Sequence, residues 1–356
     1  MFFSFYAPYV CILKFLETVR TRKTNVPHEK SPKTTPLRIL LSCRGALGDV
    51  FLASALVPVL KQENASLKIE IGFLCDPGAL PALTTAQGID FIHPLGKNTV
   101  SELKKLQYQI SLELHPFFPN AIPYLKKAGI PQRIGFDGRG YAMWLTDKVP
   151  FPSQEEYLPR MYRFLLEAIG LYVDPARITP SFPIHPSYPL PSSPYVVLHM
   201  GTSSPLKEWS LLKWRGVALH LKEKGYTLVF TGKGRREKRQ IQDAFSRIQG
   251  IDLCDQLSWQ EFVFVLSKAQ LVVTVDSAAL HIAAAYEVPV VALYLYSHGV
   301  EMWIPPVKDG YFLVGKRCIR TESKGRSGQV IYLEDIEVED VISCLPLLLE
   351  KNPSML

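Results

Sequence analysis

The stretch from Leu271 to Tyr294, LVVTVDSAALHIAAAYEVPVVALY, leaves this chain few folds to choose from. Leu271–Val275 and Val290–Leu293 are short, β-branched, apolar runs of the kind that a parallel sheet buries on both faces. Between them, Ser277–Tyr286 is rich in Ala and Leu, and Glu287, Val288 and Pro289 end the helix. A strand, a helix and a parallel strand joined by short turns make a βαβ unit. Asp276, Ser277 and His281 then fall at the carboxyl end of the first strand and in the first turn of the helix. Ligands of open α/β sheets bind along that edge, and a helix N-terminus offers N–H groups to an anion. The same residues also fit a plainer role, with Asp276 and Ser277 capping the helix and His281 a satisfied surface residue.

The same rhythm runs through the rest of the chain. Arg38–Ser42 reads as a strand, Arg44–Asp49 (RGALGD) as a tight turn, and Val50–Lys61 as a helix with an apolar face. Strands follow at Leu67–Leu74, Ile89–Ile92, Gln109–Glu113 and Arg133–Phe136. Helices are expected near Pro77–Ala86, Val100–Leu106 and Asn120–Ala128, with an amphipathic one from Glu155 to Gly170. Gly48 sits where a strand turns into a helix, but the turn lacks both GxGxxG and GK[ST], so it is neither a dinucleotide nor a P-loop signature. Between Leu171 and Pro194 seven prolines mark an extended linker. The second half restarts with strands at Tyr195–His199, Tyr226–Phe230 and Ile251–Cys254. Its helices are expected at Leu211–Lys224, Gly234–Arg247 and Ser258–Ser267, and a last helical segment at Val330–Glu350. The fold class predicted is α/β, with two doubly wound, mostly parallel sheets.

The length of 356 residues accommodates two such domains with full cores. They are expected at 37–172 and 195–329, with a linker at 173–194 and a C-terminal helix in 330–356. Six scattered cysteines show no disulfide or metal-ligand spacing and fit a reducing compartment. A net charge of +7 suits a phosphorylated substrate or an anionic membrane surface and is too diffuse to indicate nucleic acid. Residues 1–36 stand apart. Met1–Leu13 is uncharged and aromatic, too short for a bilayer span, and followed by Arg20, Arg22, Lys23, Lys30 and Lys33. This segment reads either as an interfacial anchor with a basic follow-up or as an extension packed loosely on its domain.

Two sheets joined by a linker are expected to leave a cleft between their carboxyl edges, and three polar turns of the second half fall on its edge. Gly201, Thr202 and Ser203 offer backbone and hydroxyl donors, and Lys207 adds a cation. TGKGRR (231–236) brings glycines that permit close backbone approach, and Asp276–His281 completes the set. Together they suit a diphosphate held without a metal or other cofactor. The run KGRREKR (233–239) also reads as a solvated helix face.

At this point the chain resembles the glycosyltransferase family 9 heptosyltransferases of lipopolysaccharide inner-core assembly. The matching residues are RILLSCRGALGDVFLASALVPVLK (38–61), RIGFDGRG (133–140), HMGTSSPLKEW (199–209), TGKG, VDSAALHIAAA (275–285) and LEDIEVEDVISCL (333–345). The resemblance implies a GT-B fold with the nucleotide-sugar donor site in the C-terminal domain, the acceptor site mainly in the N-terminal one, and a last helix crossing back to the first domain. It implies an inverting, metal-independent transfer of a sugar, with heptose from ADP-heptose as the expected donor. The acceptor would be a lipopolysaccharide core or lipid A-type molecule, at the inner face of the cytoplasmic membrane. By the same resemblance Asp49 is the catalytic base. Lys207 faces the donor phosphates, and Asp276, Ser277 and His281 belong to the donor loop. Glu237 stands nearest to the acid that holds the donor ribose. The sequence departs from the pattern at Ala278, where the family usually has glycine, and at Glu208, which sets an acid beside the phosphate site.

The residues themselves support that chemistry. Sugar transfer from a nucleotide diphosphate needs a base for the acceptor hydroxyl and cations or N–H groups for the departing diphosphate. Asp49 has a plainer reading as the N-cap of a helix starting at Val50. Two other functions stay open: transfer from another nucleotide sugar to a non-lipid acceptor, and nucleotide-sugar binding without turnover.

Overall fold

The computed structural model describes residues 36–138, 140–152, 156–180, 188–295, 300–315, 318–323, 326–331 and 333–349. The expected N-terminal anchor lies outside the described residues. The chain divides into two compact units, residues 1–154 with 158–179, and residues 155–157 with 180–356. The division falls at Thr179/Pro180, inside the expected linker, and Tyr157 belongs with the second unit.

The first unit is a six-stranded sheet of β1 (Leu37–Cys43), β2 (Ile69–Cys75), β3 (Phe91–Pro94), β4 (Ile110–Glu113), β5 (Gln132–Phe136) and β6 (Asp147–Val149). All its pairings are parallel, in the order β3-β2-β1-β4-β5-β6. The second unit holds β7 (Tyr195–His199), β8 (Thr227–Thr231), β9 (Ile251–Asp252), β10 (Leu271–Val275), β11 (Val290–Leu295) and β12 (Gly310–Gly315). They pair in the order β12-β11-β10-β7-β8-β9, again parallel throughout. Counted from its own first strand, each sheet has the 3-2-1-4-5-6 order of a Rossmann-like fold. The order reverses between β1 and β4 in one unit and between β7 and β10 in the other. The turns that leave β1, β4, β7 and β10 therefore open at the switch points where such folds hold ligands.

Helices cover these sheets. In the first unit they are α1 (Leu47–Ser54), α2 (Leu56–Glu63), α3 (Thr99–Leu106), α4 (Ile122–Ala128) and α5 (Leu158–Glu167). In the second they are α6 (Leu211–Glu223), α7 (Gly234–Phe245), α8 (Trp259–Ser267), α9 (Ala278–Ala285) and α10 (Val338–Leu349). Each residue of β10 is buried, as its unbroken apolar run requires. Full burial of a Val or Leu side chain is worth roughly 1.5–3 kcal/mol, which fixes the βαβ unit at the centre of its sheet.

Several sequence expectations shift. The helix expected from Val50 begins at Leu47 and breaks at Ala55 into α1 and α2. The helix near Pro77 is a 3-10 turn, Pro77–Thr85, with Pro81 inside it. Val330 lies in an antiparallel hairpin, Cys318–Ser323 with Arg326–Ile331, so the last helix starts at Val338 rather than Val330. Leu333, Ile336, Val341, Leu345 and Leu348 pack into one core with Trp214, Val217 and Leu221 of α6. The described packing of α10 is with the second unit's own core.

Candidate functional site

In the second unit three turns leave adjacent strands at the same edge. His199 of β7 pairs with Thr274 of β10 on one side and Thr231 of β8 on the other. The turns after His199, Thr231 and Val275 consequently lie side by side. This is the arrangement the three polar motifs require.

The first and third turns meet through charge. Lys207 Nζ donates to Asp276 Oδ2 at 2.5 Å, an ion pair with side-chain exposures of 35% and 12%. Asp276 thereby fixes the ammonium over the edge, at the end of a 3-10 turn, Pro205–Lys207. Trp209 anchors that turn from below. It is buried, stands edge-on to Trp214 and donates its indole N–H to the Ile336 carbonyl at 2.9 Å. Ser277 is the N-cap of α9, accepting from Ala279 N–H at 3.3 Å and lying 3.1 Å from the Thr274 hydroxyl. Ala278 is the first residue of α9 and is partly exposed.

His281 is not the surface residue of the plainer reading. It is 3% exposed, and its Nδ1 lies 3.3 Å from the Tyr157 hydroxyl. Burial pushes its pKa down to about 4, with Asp276 pulling upward and Lys207 downward. The imidazole is therefore neutral at pH 7 and acts as a hydrogen-bonding group rather than a cation. His199 behaves alike: buried, 2.9 Å from the Thr231 hydroxyl, and pushed down to about 4 by burial.

The second turn holds Glu237 in the first turn of α7. Its carboxylate accepts from Lys233 N–H at 2.7 Å. It also lies against Gly201, where an added Cβ would collide with it, and Gly232, where one would crowd it. The glycines of both turns thus make room for this carboxyl, whose pKa burial raises. Thr202 is buried and its carbonyl accepts from Arg236 Nη2 at 2.5 Å, whereas Ser203 is exposed on the turn.

In the first unit Asp49 stands at the third position of α1, not at its N-cap. Its Oδ2 accepts from Ala46 N–H at 2.6 Å, so the carboxylate reaches back over the turn. A side chain at Gly45 would strike that carboxylate. Beside this turn, at the end of β4, Glu113 is buried. It accepts from Ser42 Oγ at 2.9 Å, Ala121 N–H at 2.8 Å and His115 N–H at 3.3 Å. Burial outweighs these contacts and pushes its carboxyl up to about 8. Burial raises the Cys43 thiol well above its ordinary value, and Asp49 and Glu113 add to it.

Glu113, Tyr157, His199 and Arg236 were not singled out from sequence. Glu113 carried one signal, an acid closing an apolar strand at a switch point. Among the described residues no group of three or more His, Cys, Asp or Glu side chains gathers as a metal site, and no helix is long and apolar enough to cross a membrane.

Residues 98–326 match the family described as glycosyltransferase family 9 (heptosyltransferase). The chain is 28% identical to lipopolysaccharide heptosyltransferase 1 of Pseudomonas aeruginosa over 104 residues, which span 29% of this chain and 29% of that protein. Its fold is similar to that of a family 9 glycosyltransferase from Veillonella parvula, with a TM-score of 0.70 and 20% identity over 88% of this chain and 97% of that one. It is also similar to the E. coli ADP-heptose lipopolysaccharide heptosyltransferase II, with a TM-score of 0.68 and 20% identity over 89% of this chain and all of that one.

Proposed function

This chain belongs to glycosyltransferase family 9, and on that premise we propose that it moves a heptose from ADP-heptose to a lipopolysaccharide core or lipid A-type acceptor, inverting the anomeric centre without a metal. The observation that carries the reading is the Lys207–Asp276 pair, which joins two of the three polar turns at the β7/β10 switch point. A cation fixed at that edge matches the needs of a departing diphosphate. Asp49 serves as the base. It takes the proton from the acceptor hydroxyl as that oxygen bonds to the anomeric carbon, and the carbon–oxygen bond to the diphosphate breaks. The electron pair leaves with ADP, whose growing charge Lys207 offsets. A positioned base contributes about 10²–10⁴-fold.

Asp276 orients the Lys207 ammonium. Thr202, Ser203, Ser277 and Ala278 border the phosphates with backbone and hydroxyl groups, and neutral His281 braces the loop through Tyr157. Glu237 is the candidate for holding the donor ribose. A cytoplasmic position against the anionic inner membrane surface follows from a lipid-borne acceptor.

The test is thermal stabilisation by ADP, UDP, GDP and CMP, followed by assay of heptose transfer. A ligand at about 100 times its Kd adds roughly 2.7 kcal/mol of stability. ADP should stabilise the protein most. A response confined to UDP would replace the donor, and response to none of the four would overturn the nucleotide-sugar reading.

A further inference from the structure

Glu208 is the most awkward residue of the second unit's site. It follows Lys207 directly and sets a carboxylate beside a turn proposed to receive a diphosphate. Left alone, that charge would oppose the ligand. The structure does not leave it alone. Arg236 Nη1 lies 3.2 Å from Glu208 Oε1, and the other arm of the same guanidinium donates to the Thr202 carbonyl. Glu208 Oε1 is itself buried and makes no hydrogen bond. Arg236 also neighbours Glu237, whose carboxyl lies against Gly201 and Gly232. One cation thus stands among two carboxyl groups and a backbone carbonyl, joining the turn after β7 to the first turn of α7.

Resting on the ADP-sugar reading above, we propose that Arg236 is a positioning residue for donor binding. Its guanidinium cancels Glu208 and fixes the Thr202–Glu208 turn so that this edge can accept a nucleoside diphosphate. The planar fork suits the task, because its two arms serve a carboxylate and a carbonyl at once; an ammonium is a single point charge. The balance of charge points the same way. Lys207 is matched by Asp276 and Arg236 by Glu208, so loss of Arg236 leaves an excess carboxylate. Of the cations in the run 233–239, Arg236 is the one whose guanidinium reaches both the Thr202 carbonyl and Glu208, which separates it from the solvated face expected there. Burial raises the Glu237 carboxyl, and among the smaller influences Arg236 pulls it down while Asp255 and Glu208 push it up.

The experiment is ADP binding by the full chain, measured by calorimetry on four proteins: wild type, Arg236→Met, Arg236→Lys and the double variant Glu208→Gln/Arg236→Met. Loss of one charge-assisted partner should weaken ADP by about tenfold in Arg236→Met. Arg236→Lys keeps the charge without the fork and should fall between it and wild type. The double variant should bind ADP more tightly than Arg236→Met, recovering to within about threefold of wild type, because the opposing carboxylate is gone. A guanidinium that merely braces the fold predicts no such recovery. Should Arg236→Met be poorly folded, Arg236→Lys compared with Glu208→Gln/Arg236→Lys asks the same question. Unchanged ADP affinity in Arg236→Met, or no recovery in either double variant, overturns this inference while leaving the ADP-sugar reading in place. Absence of ADP binding by wild type overturns both.

Discussion

In the first unit the turn after the central strand carries a carboxylate, Asp49, folded back onto the Ala46 N–H, with the buried Glu113 behind it at the end of the neighbouring strand. In the second unit the turn after the central strand carries Lys207, held by Asp276 from the neighbouring strand, with neutral imidazoles behind. The two sheets have the same strand order, so the switch point offers each unit the same place to put chemistry. What differs is the furniture: at one edge the carboxylate of Asp49 is held by a backbone N–H, at the other Lys207 and Arg236 are each matched by a carboxylate and neutral imidazoles stand nearby. The backbone decides where a site opens, and a handful of turn residues decide whether it suits a proton or an anion.

The sharpest way to break that contrast is to empty the second edge of its cation. Lys207→Ala should weaken ADP by about 10- to 100-fold, as expected for a charge-assisted contact, with Asp276 left facing the diphosphate unopposed. Isothermal calorimetry measures it, and an unchanged affinity would remove Lys207 from the site.

A smaller effect separates the two edges by pH. Glu113 holds its proton up to about 8 in the folded state, whereas an unfolded carboxyl releases it near 4.5. The folded state then binds the extra proton, so this group's contribution to stability declines as pH rises from about 4.5 to about 8. His199 and His281 have the opposite sign. Their folded values near 4 lie below the ordinary 6.5, so their contribution is present above 6.5 and is lost as pH falls toward 4. Melting temperature should therefore fall on both sides of a maximum. Glu113→Gln should flatten the alkaline side by several degrees and steepen the acid side between about 4.5 and 6.5, where the falling Glu113 contribution no longer offsets the rising histidine one. An unaltered alkaline limb would mean that Glu113 is ionised throughout.

Much of this contrast was legible before the fold. The β10–α9–β11 unit was evident because its strands are unbroken apolar runs, buried as such runs must be, and because Ser277 caps the helix where expected. Lys207 and Asp276 were each visible, but their pairing joins residues 69 positions apart. Tyr157 was silent, since its partner His281 lies 124 positions on. Glu113 looked like a strand end; its weight comes from burial, with Ser42 reaching it through the β1/β4 register and Ala121 from the start of α4. The early start of α1 escaped because Gly48 and Asp49 read as turn residues. The capping contact of Asp49 on Ala46 is what lets the helix begin there. The hairpin before α10 escaped because the acidic stretch after it drew the expected helix back to Val330, the fifth residue of the strand Arg326–Ile331.

The central claim is that the carboxylate of the first edge does the proton work and the second edge does not depend on it. Asp49→Asn tests this most directly. The amide keeps an oxygen for the Ala46 N–H and the size of the side chain, so the protein should melt near the wild-type temperature. It cannot take a proton, so heptose transfer to a lipid A-type acceptor should fall by about 100-fold or more in kcat, while ADP binding by the same preparation stays at the wild-type value. Near-normal transfer by a folded Asp49→Asn would contradict the account, leaving Asp49 as a helix cap and the base to be found elsewhere.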